Sequence, residues 1–157
     1  MRPSEGDTVE TLVAALVHEL ERGLRLLHAL SDDQFVTGVE DLELRAIGAH
    51  QRHVLDACEA LLAGVGRREI AYDRRRRDRR SERDRALAIA RTEAIIAALQ
   101  RLPASDTRLG VRDAVDPSEA PPETASSLSR ELLYLFEHVV HHHALMKVCA
   151  LALGVRL

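Results

Sequence analysis

The sequence predicts an all-α fold, a four-helix bundle in a single domain spanning residues 1–157. Three observations carry that expectation. Apolar residues recur at helical spacing in four separate segments. Cap or breaker residues bound those segments. The core must come from Leu, Ala, Val and Ile, because aromatics make up 3% of the chain and Trp is absent.

The first helix is expected over about Thr8 to Leu30, opened by a capping-box pattern of Asp7 with Glu10. Val9, Val13, Leu16, Leu20, Leu24 and Leu27 mark its apolar stripe, and Ser31-Asp32-Asp33 ends it. The second runs from about Leu42 to Ala63. Ile47, Val54, Cys58, Leu61 and Val65 share one side, and Gly64 and Gly66 supply the stop. The third runs from about Glu82 to Leu102, with Ser81 and Asp84 as a weaker cap and Pro103 forbidding continuation. The fourth runs from about Ser127 to Leu153. Its seam is Leu128, Leu132, Leu135, Val139, His142, Met146, Cys149 and Leu153, in alternating steps of four and three. The long Pro-rich loop before it is unusual for a compact domain. Leu109, Val111 and Val115 alternate there, so the loop has room for a short strand pair.

A chain of 157 residues buries a real core without disulfide staples. Cys58 and Cys149 fall inside apolar helical patterns and read as buried thiols. The net charge of −3 argues against nucleic acid and acidic membranes as partners. The opening MRPSEGDTVE has no apolar signal core, and no run is long enough to cross a membrane. The expectation is a cytoplasmic protein.

The stretch EHVVHHHALM (Glu137–Met146) holds four of the eight histidines. His138 and His142 are one helical turn apart, so both rings share a face. That spacing presents two nitrogens to one metal ion. The competing reading is a hydrogen-bonded pair of core histidines. His141 and His143 point about 100° to either side and read as supporting or surface groups. A third nitrogen could come from GAHQRHV (Gly48–Val54) on the second helix. By angle His50 is nearer the apolar face and His53 lies at its edge. His18 and His28 read as surface residues. The chain has no Gly-rich phosphate loop and no Glu-x-x-His pair repeated on two helices. The run YDRRRRDRRSERDR (Tyr72–Arg85) is interleaved with acids and reads as a solvated connector.

Three stretches resemble the DinB-like superfamily, which includes the YfiT-type proteins: IGAHQRHVLD (Ile47–Asp56), YDRRRRD (Tyr72–Asp78) and SSLSRELLYLFEHVVHHHALM (Ser126–Met146). The resemblance implies a four-helix bundle with a metal held by one histidine of the second helix and a His-x-x-x-His pair of a later one. Matched residue by residue, the ligands fall on His53, His138 and His142, with His50 as the alternative ligand or a pocket residue. Ala57 stands where similar sequences often carry a further histidine. The implied cofactor is one divalent transition metal, zinc or nickel. The implied activity is that of a metal-dependent hydrolase or a thiol-dependent S-transferase acting on a small molecule, with Glu131 and Asp56 as candidate bases. Arg75 or Arg77 would orient an anionic substrate. The alternative is a non-catalytic metal-binding bundle acting in stress response or interaction. Leu26, Leu62 and Leu145 lie outside the seams, and related bundles pair through helices, so a homodimer is expected.

Overall fold

The computed structural model describes residues 5–74, 78–112 and 122–156. Among these the chain forms five α-helices and one three-stranded sheet. The helical class expected from the sequence is present.

α1 (Glu5–Ala29) buries Val9, Leu16, Leu20 and Leu27 as expected, while Val13 and Leu24 are half-buried. The helix begins ahead of the expected box. Asp7 lies within its first turn, where its carbonyl accepts from Thr11 Oγ1 at 2.7 Å. Ser31 ends α1 and immediately starts another helix. Its hydroxyl accepts from the Gln34 N–H at 3.1 Å, and its own N–H donates to Gln34 Oε1 at 2.9 Å. This reciprocal cap opens the short α2 (Asp32–Val36), whose Phe35 is fully buried in the core.

α3 (Ile47–Val65) begins at Ile47, not near Leu42. Residues Glu40–Leu42 form a 3-10 turn, closed by Glu43 in the left-handed region at φ 52°. Gly48 in the first turn of α3 is dictated by contact. A Cβ there would collide with the Glu82 carbonyl and lie 2.8 Å from the Phe35 ring. The glycine therefore admits the 3-10 turn Arg79–Glu82 against α3. The latter part of the arginine connector is packed, not simply solvated: Ser81 is fully buried.

α4 (Arg85–Leu99) is capped by Asp84, whose carboxylate accepts from the Leu87 N–H at 2.8 Å. α5 (Leu128–Ala152) is capped by Ser127, which accepts from the Arg130 N–H at 3.3 Å. α1 packs against α5 and α4, and α3 packs against the same two helices. The core thus lies between four long helices, filled by aliphatic side chains such as Leu16, Leu55, Leu61, Leu99, Leu132 and Leu135.

The loop before α5 does hold a strand pair. β2 (Arg108–Arg112) runs antiparallel to β3 (Glu123–Ser127), with Leu109 opposite Ser126. β1 (Glu69–Ala71) adds in parallel on the other side of β2, with Ile70 opposite Val111. Ile70, Leu109 and Val111 are buried. Val115 lies outside the described residues. Leu26, Leu62 and Leu145, expected to be exposed, are half-buried. The exposed large apolar side chains are Val36, Leu42, Leu133, Val140, Val148 and Leu151. Among the described residues no helix is long and apolar enough to cross a membrane.

Candidate metal centre

α3 and α5 pack side by side, and that contact brings their histidines together. His53 projects from α3, and His138 and His142 from successive turns of α5. Their candidate ligand atoms all lie within 4.8 Å of one another. The ring centres are 5.0 Å apart for His53 and His138, 4.8 Å for His53 and His142, and 4.6 Å for His138 and His142. All three residues are half-buried.

His50 belongs to the same constellation. Its Nδ1 lies 3.1 Å from Nδ1 of His142, and its Nε2 is buried without a hydrogen-bond partner. The angular reading was right that His50 is the more buried of the two histidines on α3. It supports His142, while His53 at the margin joins the three-nitrogen group.

The electrostatics favour neutral rings. Burial, then the neighbouring imidazoles His138, His53, His50 and His141, push the His142 pKa down to about 3. Burial, then Arg45 and His141, lower His50 as well. Because His142 and His50 resist protonation, their lone pairs stay available for another electrophile. Nitrogen donors of this kind suit zinc and nickel.

Aromatic side chains extend the site toward the sheet. Tyr134 stacks on His138 at 5.8 Å and 28°. Tyr134 in turn meets Tyr72 at 5.6 Å. Tyr72 donates its hydroxyl to Glu131 Oε2 at 3.0 Å, and Ser126 donates to Glu131 Oε1 at 2.5 Å. Periodicity gives no signal for this chain of contacts, because Tyr72 and Tyr134 come from distant segments.

The two candidate bases are otherwise engaged. Glu131 accepts from Tyr72 and Ser126. Asp56, whose side chain is fully buried, pairs with Arg52 at 3.0 Å and Arg91 at 3.2 Å. Arg52 continues to Glu82 at 2.8 Å and Arg91 to Glu59 at 2.9 Å. That network fastens α3 to α4 and the 3-10 turn. Burial pushes the Cys58 thiol up to about 12 and raises Cys149 too, so neither is a thiolate nucleophile.

His141 is exposed, as are His18 and His28. His143 is the surprise: it is buried against α1, with Nδ1 2.9 Å from Glu19 Oε1. Arg75 and Arg77 lie outside the described residues. Compared with protein families, curated proteins and solved structures, the chain matches none.

Proposed function

We propose that this chain is a four-helix bundle of the DinB-like kind, whose His53, His138 and His142 hold one divalent transition metal, zinc or nickel. The observation that supports this reading is the convergence of three imidazoles from two helices within 4.8 Å. In the same reading the protein is a metal-dependent hydrolase or a thiol-dependent S-transferase acting on a small molecule. Bound there, the ion would supply Lewis acidity toward a water or a low-molecular-weight thiol.

The chain's own residues prepare that chemistry. His50 engages one nitrogen of His142 and leaves the other for an ion. Tyr134 fixes the plane of His138 by stacking. The half-buried setting leaves an approach for a substrate, and Arg75 or Arg77 would hold its anionic group. A homodimer in the cytoplasm remains part of the proposal, now through the exposed Leu133, Val140, Val148 and Leu151 of α5.

A second reading is favoured by one observation: both Asp56 and Glu131 are tied into buried networks. A centre whose two candidate carboxylate bases are both engaged fits a non-catalytic metal-binding bundle. Elemental analysis of the purified protein tests the shared part of both readings, with about one zinc or nickel per chain expected. A protein that takes up no stoichiometric metal overturns them. Thiol-transfer and hydrolysis assays on the loaded protein then separate them, because only the enzyme turns substrate over.

A further inference from the structure

Four of the six large apolar side chains exposed among the described residues belong to α5: Leu133, Val140, Val148 and Leu151. α1 and α3 both pack on the inner side of that helix. Its outer side carries a second repeat. Leu133, Val140 and Lys147 are seven residues apart, and so are Glu137, Ala144 and Leu151. On an ideal helix the six fall within about 40° of one line, and all six are exposed. Alternating steps of four and three along an open face make a seam for another helix.

The seam is complementary to itself. From Leu133 to Leu151 the only carboxylate is Glu137 and the only ammonium is Lys147. Neither has an ion pair among the described residues. They stand five residues to either side of His142. Leu133 and Leu151 stand nine to either side, and Val140 and Ala144 two. A two-fold axis at the level of His142 therefore sets Glu137 against Lys147 of a second copy, Leu133 against Leu151, and Val140 against Ala144. The alternatives are penalised. Parallel helices would set Glu137 against Glu137 and Lys147 against Lys147. Sliding the antiparallel pair by one heptad sets Lys147 against Arg130 in one direction. In the other it carries Glu137 past the end of α5 at Ala152. Like charges in a seam are how helix pairs reject a wrong orientation or register.

We propose that α5 pairs antiparallel with α5 of a second copy of this chain, about a two-fold axis at the level of His142. Glu137 and Lys147 fix the orientation and register, and the leucines close the two ends of the seam. The pairing rests on the homodimer of the preceding reading and gives it a geometry, but it needs no metal.

Sedimentation velocity on chelator-treated protein at micromolar concentration reads the dimer independently of the metal centre, whose occupancy elemental analysis reads separately. The unsubstituted chain should sediment as a dimer. Glu137→Lys and Lys147→Glu, both at exposed positions, should each weaken dimerisation about tenfold or more, because each sets two pairs of like charges face to face. Mixed in equal amounts, the two variants should pair again, since every facing pair then carries opposite charges. That recovery, with unchanged helical circular dichroism, excludes unfolding as the cause. Thiol crosslinking in air reads the orientation, with Cys58 and Cys149 buried and silent. Leu133→Cys mixed with Leu151→Cys should give a covalent dimer. Leu133→Cys alone should not, since antiparallel copies hold its two thiols about 27 Å apart. A monomeric parent overturns the proposal. So do single charge variants that dimerise as the parent does, a mixture that stays monomeric, or Leu133→Cys crosslinking with itself.

Discussion

His50 and His142 meet nitrogen to nitrogen, Nδ1 to Nδ1, at 3.1 Å across the interface of α3 and α5. Two nitrogens at that distance share one proton, so each ring fixes the tautomer of the other. The contact explains how two histidines on α3 divide the work. In the proposed centre His50 is sunk deep enough to brace His142, and His53 stands at the margin where an ion would be reached.

Metal loading of single variants should follow that division. His53→Ala and His142→Ala are expected to lose stoichiometric metal while keeping the helical circular-dichroism spectrum. His50→Ala should retain a site weakened about 10- to 100-fold, as for loss of a group that orients a ligand. His141→Ala, at an exposed position, should bind as the parent does. Competition against a chromophoric chelator gives the affinities. If His50→Ala strips the metal and His53→Ala keeps it, the ligand on α3 is His50.

The metal-free protein should lose stability as pH falls. His142 is held at about 3 in the fold, against 6.5 when unperturbed. Between those values the unfolded chain binds a proton that the native chain does not, so stability rises with pH through this window. His50 and His143 are lowered too and act in the same direction. Urea midpoints measured from pH 7 down to pH 4 should therefore decline. A flat profile would mean that the cluster takes up protons without strain.

Asp56→Ala should be among the most damaging single changes away from the histidines. It removes the carboxylate shared by Arg52 and Arg91, both largely buried. Loss of one partner in such a network destabilises by about 3–5 kcal/mol. Denaturant unfolding with an unchanged slope would report it. A loss below about 1 kcal/mol would place the network with ordinary surface pairs.

Gly48→Ala adds one methyl where the Glu82 carbonyl and the Phe35 ring already press on α3. The expected loss is about 1–3 kcal/mol, the usual range for overpacking. Thermal unfolding checks it. A neutral outcome would show that the 3-10 turn yields easily.

The long helices were legible because a periodic apolar stripe and a cap are local signals. The cap of α4 falls on Asp84, three residues past Ser81 where the pattern opened it, and Ser127, the expected start of α5, is its cap. α2 was not legible: its five residues are too few to show a period, and Ser31 looks like an ending when it is also a beginning. β1 was hidden because its parallel pairing with β2 joins segments far apart in the chain. The His138 and His142 pair was visible from spacing alone, whereas the third nitrogen needed a resemblance between sequences. His143, read as a supporting or surface group, is buried for a geometric reason. α5 is covered by α3 on one flank and by α1 on another. A single heptad seam describes one flank, and His143 lies on the other, facing Glu19.

The join between β3 and α5 has a consequence for the histidines. Ser127 is both the last residue of β3, paired with Arg108, and the cap of α5. No loop intervenes to absorb an error. The strand pairing therefore indexes the rotation of the whole helix, as a keyed shaft sets a gear. One residue inserted between Ser127 and Leu128 would turn everything beyond it by about 100° if the strand held its register. His138 and His142 would swing off His53 together, although no histidine had been touched.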